Sequence, residues 1–283
     1  PDFAMVHRML GSLGANPNLG AVLLVSLGCE GPVDDIQEAI AKTGKRVERV
    51  VIQQIGGATK AFNEGAHLAR EMLGEISELQ REDVDDSELV IGVKCGASDT
   101  TQGIGANPAV GAMCDLVVKA GGTCVFGETP EMLGTEHILA QRAKDEKTGR
   151  NIYEIVEGVE KRAAILGVDI RGANPSRGNI AGGLTTIEEK SLGAIVKGGT
   201  STIQGVLEPG ERTRGKGLYI LDGPGQEPKA VSALAAAGAQ IIMFATGIGA
   251  PQGFPFVPVI KVTANPRTAE HLAEHIDEFV DIF

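Results

Sequence analysis

The sequence predicts an α/β protein of mostly parallel sheets with flanking helices, arranged as two Rossmann-like α/β domains. Three observations carry this expectation. Short apolar runs rich in Val and Ile alternate with segments of helical periodicity along the chain. Polar, glycine-rich stretches follow several of the strand candidates directly. With 283 residues, 42% hydrophobic and 22% charged, the chain is globular and long enough to bury a real core.

The elements follow in order. Residues 21–27 (AVLLVSL) form a continuous apolar run and read as a buried strand. Val33, Ile36 and Ile40 recur at helical spacing, with Asp34 and Asp35 in the first turn, where the helix dipole favours acids. Residues 49–53 (RVVIQ) read as the next strand, and Phe62, Ala66, Ala69 and Leu73 mark a helix after the Gly56-Gly57 turn. The charged stretch 75–88 is the domain boundary candidate, dividing residues 1–87 from 88–283. Strands at 89–94 and 123–126 flank a helix near 108–120. Ile152, Ile155, Val156, Val159, Ala163 and Leu166 line one face of an amphipathic helix. Strands at 217–221 and 240–244 are joined by a helix near 228–237. A last strand at 257–262 precedes a terminal helix carrying Leu272, Ala273, Ile276, Phe279, Val280 and Phe283. This alternation places ligands at the C-terminal ends of parallel strands.

Composition narrows the function classes. The net charge of −11 disfavours nucleic acid and anionic membranes as partners. No apolar run reaches the length of a membrane span, and residues 1–10 lack the pattern of a secretory signal. The four cysteines, Cys29, Cys95, Cys114 and Cys124, are widely separated and form no CxxC pair, which reads as a reduced, cytoplasmic setting. The chain opens on Pro1 rather than Met, which reads as a processed or partial chain.

Five motifs can carry chemistry. Gly28-Cys29-Glu30-Gly31 places a thiol and a carboxylate at a strand end, where a structural Cys in a tight turn is the plainer alternative. Residues 94–101 (KCGASDTT) supply a cation, a thiol, a carboxylate and three hydroxyls, groups that suit a polyhydroxy acid or a divalent metal. Asn107-Pro108 after them can simply start a helix. In residues 127–131 (GETPE), Glu131 fits the dipole of a helix opened by Thr129-Pro130, whereas Glu128 ends the strand and is the better site candidate. His137 reads as a surface histidine. Residues 174–191 (NPSRGNIAGGLTTIEEKS) form a glycine-rich loop that feeds a helix start. Thr185 with Glu188, or Thr186 with Glu189, has capping-box spacing, and the free N–H groups of such a start can hold a carboxylate. Neither a P-loop nor a dinucleotide fingerprint matches, and a mobile surface loop is the alternative. Residues 245–253 (ATGIGAPQG) again follow a strand. Several such loops behind separate parallel strands would converge on one edge.

Taken in order, these motifs resemble the altronate and galactarate dehydratase family. The resemblance rests on NPNLGAVLLVSLGCEG, KCGASDTTQGIGANPAVG, GETPEMLGTEH, NPSRGNIAGGLTTIEEKSLG, KGGTSTIQGVLEPGE and TGIGAPQGFPFVPVIKVTANP, and it covers nearly the whole chain. It implies loss of water from a sugar acid to give a 2-keto-3-deoxy acid, assisted by a divalent metal, iron(II) above all. The same family includes a sulfolactate sulfo-lyase, which eliminates sulfite. Ala97 stands where the family usually has Gly, Arg177 where it has Pro, and residues 280–283 depart from its usual C-terminus. The family usually carries a small N-terminal domain and a further segment ahead of Asn16, so a small N-terminal-domain subunit is an expected partner and the chain alone is expected to be weakly active. A homo-oligomer is also expected.

For the chemistry, Cys29, Cys95 and Glu128, with Asp99 beside them, are the candidate metal ligands. Lys190, Lys197 and Asp99 are the candidate catalytic groups, either lysine serving as base once desolvated. Ser98, Thr100, Asn174, Asn179, Gly182, Gly183, Thr185, Thr186, Thr246 and Gly247 are the candidate substrate contacts. Gly183→Val is expected to weaken substrate binding while leaving the melting of the fold normal. The alternative to an enzyme is a non-catalytic sugar-acid-binding subunit.

Overall fold

The computed structural model describes residues 2–30 and 33–282. Gly31 of the first motif and Phe283 of the expected terminal helix lie outside them. Two sheets form, and every pairing in both is parallel. The α/β architecture of parallel sheets with flanking helices is therefore as the alternation predicts.

The first sheet pairs β1 (Ala21–Ser26) with β2 (Arg46–Val51). Around it lie α1 (Asp2–Gly14), α2 (Asp34–Ala41), the single turn α3 (Ile52–Ile55) and α4 (Ala58–Ser77). Ile36 and Ile40, the residues that set the helical period of α2, are both buried. The second strand ends earlier than its apolar run suggests, because the chain coils at Ile52. The charged stretch after α4 becomes irregular backbone and a short 3₁₀ turn, Asp86–Glu88.

The second sheet has seven strands in the order β5-β6-β4-β3-β7-β8-β9. They are β3 (Val90–Gly96), β4 (Thr123–Phe126), β5 (Ile203–Leu207), β6 (Gly217–Leu221), β7 (Ile241–Thr246), β8 (Val259–Thr263) and β9 (Glu278–Phe279). One face packs Val93, Cys95, Phe126 and Ile220 against α5 (Asn107–Lys119), α6 (Glu136–Gln141), α7 (Glu146–Ile165) and α10 (Ile187–Ile195). The single turns α8 (Ile170–Ala173) and α9 (Arg177–Ala181) lead into α10. The other face packs Val125, Tyr219, Leu221 and Ile242 against α11 (Glu227–Ala236). Burial on both faces explains why these strands read as continuous apolar runs rather than alternating ones. From β3 the chain crosses to β4 on one side, and β7 later joins its other edge, so the connections diverge at β3. That is the crevice position where parallel sheets bind ligands.

One sequence expectation fails at the C-terminus. Leu272 to Val280 have helical spacing, yet only α12 (Pro266–His271) is helical before the chain extends into β9. Backbone pairing to β8 overrides the local period: Val280 N–H donates to Thr263 O at 2.8 Å and Asp277 N–H to Lys261 O at 3.0 Å. Val280 and Ile282 still bury against the main core. Strand 257–262 is consequently followed by one more.

Candidate active site

The C-terminal ends of β3 and β4 bring a buried charged group together. Lys94 and Cys95 end β3, and Glu128 follows β4. The Lys94 ammonium donates to Glu128 Oε1 at 2.7 Å and to the Cys95 carbonyl at 2.7 Å, and it stands 4.9 Å from the centre of the Phe244 ring. Glu128 Oε2 accepts from Cys95 N–H at 2.8 Å and pairs with the Lys197 ammonium at 3.0 Å. Lys197 also reaches Cys95 Sγ at 3.2 Å. All four side chains are almost wholly buried. Burial opposes charge on Glu128, but Lys197 and Lys94 outweigh it and hold its carboxyl below the ordinary range. Burial likewise opposes charge on Lys197, and the adjoining Cys95 and Glu128 groups outweigh it and raise its pKa. Cys95, desolvated and facing Glu128, is pushed up to about 12 and keeps its proton at neutral pH.

The backbone here is held in unusual conformations. Ala97 has φ 49° and Glu128 φ 74°, the two non-glycine residues in the left-handed region among those described. Such a conformation costs about 1–3 kcal/mol and persists where the surroundings over-determine it. For Glu128 the over-determination is visible: its three donors fix the carboxylate.

In front of this group lies a cleft of about 610 Å³. Cys95, Ser98, Glu128, Glu131, Asn179, Lys190 and Glu227 are among the residues that line it. Lys190 donates to Glu131 Oε1 at 3.0 Å and to Asn174 Oδ1 at 2.8 Å. Glu131 Oε2 is closed off from solvent and has no hydrogen-bond partner, an arrangement that costs about 1–3 kcal/mol when nothing fills it. A second hollow of about 240 Å³ shares Ser98 and Lys190 with the first and is also lined by Asp99, Thr100 and Asn107.

Four of the five motif loops meet here, as convergence at a strand edge predicts. Asn179 Nδ2 donates to Ser98 O at 3.0 Å, Thr100 N–H to Gly182 O at 3.1 Å, and Ile248 N–H to Ala97 O at 2.8 Å. The first motif stands apart: Cys29 is exposed behind β1 on the other sheet, and the Glu30 carboxylate folds back onto the N–H groups of Leu27, Gly28 and Cys29.

Several candidate roles change once the partners are seen. Asp99 is a clamp rather than an open acid: Oδ1 accepts from Gln102 N–H and Thr101 Oγ1, each at 2.8 Å, and Oδ2 from Asn265 Nδ2 at 2.7 Å. Gly182 and Gly247 are packed on Asp99, where an added Cβ would fall 2.8 Å from its Cβ and 2.2 Å from its Oδ1. Their small size serves this contact. Gly183 has φ 96°, and a Cβ there would meet Thr100 Oγ1 at 2.5 Å, so Gly183→Val strains the fold itself. At the start of α10, Thr186 caps Glu189 N–H, while Thr185 N–H and Oγ1 donate to the Glu189 carboxylate, so these two threonines serve the helix cap. Thr246 is wholly buried and accepts from Gly249 N–H at 3.1 Å. Asn174 touches the site by holding Lys190. Lys197 sits behind Glu128, paired with its carboxylate at 3.0 Å, and stands outside the cleft lining.

The proposed metal ligands fare similarly. A divalent cation needs open carboxylate or thiolate lone pairs. Both Glu128 oxygens already accept from donors, two of them cationic, the Cys95 thiol faces the Lys197 ammonium at 3.2 Å, and Cys29 lies on the other sheet. Among the described residues no three His, Cys, Asp or Glu gather as a metal-holding group. Cys29, Cys95 and Glu128 therefore do not fit a bound metal.

Two cleft residues escaped the sequence reading. Glu131 has the spacing of a helix-dipole acid, and only its contact with Lys190 sets it apart. Glu227 stands just before Pro228 at the start of α11 and reads as an ordinary first-turn acid.

Comparison with known proteins places the chain. Residues 86–281 match the family described as D-galactarate/altronate dehydratase, C-terminal, and residues 1–77 match D-galactarate dehydratase/altronate hydrolase, second domain. The (2R)-sulfolactate sulfo-lyase subunit beta of Chromohalobacter salexigens is 41% identical over 98% of this chain and 71% of its own length. The altronate dehydratase of Bacillus subtilis is 41% identical over 98% of this chain and 55% of its own length. The galactarate dehydratase (L-threo-forming) of Escherichia coli is 34% identical over 98% of this chain and 54% of its own. The chain thus spans about half the length of these dehydratases and more of the sulfo-lyase subunit. With both stretches matched in order across nearly all its residues, it belongs to the D-galactarate/altronate dehydratase family.

Proposed function

We propose that the protein is a lyase that eliminates a β-substituent from a 2-hydroxy acid, removing water from a sugar acid of the altronate or galactarate type. The observation that carries this reading is the cleft itself. Lys190 and Glu131 face it as an ion pair, and the Lys94–Glu128–Lys197 group closes its floor. A binding module needs hydrogen-bond donors and acceptors for its ligand, but not paired acids and bases in a desolvated corner. Elimination does need them: a proton leaves C2, charge develops on the substrate carboxylate, and the group on C3 departs with its electron pair. Lys190, the cation among the cleft residues, can hold that carboxylate or protonate a leaving hydroxyl. Lys94 and Lys197 keep a fixed positive field behind Glu128 at no cost of reorganisation. Ser98 and Asn179 line the cleft with groups suited to substrate hydroxyls.

Loss of sulfite from sulfolactate is the second reading. It is favoured by the 41% identity to a sulfo-lyase subunit of which this chain covers 71%. Its bond changes at C2 and C3 are the same, and only the leaving group differs. That relative is named as a subunit, which supports a small N-terminal-domain partner for this chain. Four free thiols fit a cytoplasmic setting, and no helix of the described residues is long and apolar enough to cross a membrane.

The test is a turnover assay with altronate, galactarate and sulfolactate, reading 2-keto acid and sulfite separately, with and without added iron(II) and a small partner subunit. Keto acid without sulfite from a sugar acid supports the first reading, and sulfite release supports the second. Tight binding of an acid with no product under any condition would leave a binding subunit.

A further inference from the structure

Resting on the lyase reading, we propose that Glu131 is the general base that takes the C2 proton of the substrate. Three carboxylates line the main cleft: Glu128, Glu131 and Glu227. Glu128 is spent, since both oxygens are engaged by Lys94, Lys197 and the Cys95 N–H. Glu227 is half-buried, and no hydrogen bond or ion pair among the described residues orients it. Glu131 differs from both. Its Oε1 is clamped by Lys190 at 3.0 Å, and Lys190 is itself steadied by Asn174 at 2.8 Å. Its Oε2 is closed off from solvent and has no donor. The carboxylate is thus fixed in orientation with one oxygen left to accept. An unsatisfied buried acceptor in a cleft is a place where a ligand or a proton is expected.

The local backbone explains how Glu131 arrives there. The left-handed turn at Glu128 directs the chain into the short turn Thr129–Met132. Glu131 then faces the loop before α11, where a Cβ on Gly225 would lie 3.7 Å from Glu131 Oε1. Glu128 turns its carboxylate into the lysine pair, and Glu131, three positions on, sets its own against Lys190 at the cleft lining.

The C2–H bond breaks and its proton passes to Glu131 Oε2. The electron pair forms the C2=C3 bond, and the C3–oxygen bond breaks. The hydroxyl leaves as water with a proton from the Lys190 ammonium. Glu131 then passes the proton it took to solvent, and the enol gains a proton at C3 from solvent and gives its O–H proton to the Lys190 amine, which restores both groups and yields the keto acid. With sulfolactate the C3–sulfur bond breaks instead, sulfite departs with the electron pair, and the enol proton passes to solvent.

The experiment uses altronate, galactarate and sulfolactate labelled with deuterium at C2, following release of label to water alongside product. The wild-type protein is expected to release both. Glu131→Gln keeps the shape and the contact with Lys190, and is expected to lose about 10²–10⁴-fold in kcat, with little change in KM and with partial rescue by added formate. A purely structural role gives no such rescue. Should that variant melt early, Glu131→Asp keeps the charge but withdraws it by one methylene, and a lowered kcat at steady KM is expected. Turnover of Glu131→Gln within tenfold of wild type, or an unchanged kcat in Glu131→Asp, overturns the proposal alone. So does loss of label release in Glu227→Gln with Glu131→Gln intact, which would move the base to Glu227. A wild-type protein that, supplied with iron(II) and a small partner subunit, releases neither label nor product from any of the three acids overturns the lyase reading and this assignment with it.

Discussion

Glu128 and Lys197 form an ion pair at 3.0 Å with their side chains only 2% and 1% exposed, and the same carboxylate binds Lys94, which is fully buried. Removing one partner of such a pair leaves charge in a low-dielectric setting without compensation, at a cost of about 3–5 kcal/mol. Glu128→Gln is expected to lose stability on that scale, because two ammonium groups are stranded rather than one. Urea unfolding followed by circular dichroism checks this, and a loss below about 1 kcal/mol would mean that water already reaches the group.

The same group sets the response to pH. The folded Glu128 carboxyl titrates below its ordinary value, so its stabilisation is present above that value and fades as pH falls through the lower, folded one. The stability gap between wild type and Glu128→Gln is expected to narrow in acid, below the ordinary carboxylate pKa of 4.5. At the alkaline end the sign reverses. Folded Cys95 keeps a proton up to about 12 that an unfolded thiol releases near 9.0, so stability falls as pH climbs between those values. Cys95→Ser, which does not titrate there, is expected to flatten part of that slope in urea midpoints taken across the window.

Much of the fold was legible because parallel strands buried on both faces leave unmistakable apolar runs. Residues 123–126 and 217–221 were bounded as the structure has them. Strand β5, with Gln204 and Gly205 inside it, shows no such run, and β9 hides within a helical period because edge pairing decided its conformation. At the site, the loops were legible as glycine-rich polar stretches after strands, and Cys95, Ser98, Glu128, Asn179 and Lys190 all reach the cleft. Residue roles were not legible. A glycine that yields to a ligand and one that yields to Asp99 look alike in sequence, and a first-turn Glu looks the same whether it serves the dipole or faces Lys190.

The glycine distinction can be measured. Gly247→Ala would place a methyl 2.2 Å from Asp99 Oδ1, and Gly183→Val would force a branched residue to φ 96° against Thr100. Both are expected to lower the melting temperature by several degrees, more than the roughly 1 kcal/mol scale of an unstrained glycine exchange. At Gly253 a Cβ would meet nothing within 4 Å, so Gly253→Ala is the matched comparison and is expected to melt with the wild type. Equal melting of all three variants would return the first two glycines to a ligand-binding role.

The start of α10 separates capping from recognition. Thr186 accepts from Glu189 N–H, and the Glu189 carboxylate takes Thr185 N–H at 2.7 Å, so two of the donors near this helix start are engaged within the protein. Thr186→Ala is expected to cost about 0.5–2 kcal/mol of stability, the usual range for a lost cap, and to leave KM for the acid substrate unchanged. Lys190→Ala is expected to do the opposite. It releases Glu131 Oε1 and Asn174 from their shared donor and removes the ammonium from both hollows, so kcat falls steeply while the helix stays capped. Paired measurements of melting temperature and steady-state kinetics on the two variants decide the matter. A rise in KM for Thr186→Ala with unchanged melting would show that the helix start binds the substrate after all, through a rearrangement that frees its N–H groups from Glu189.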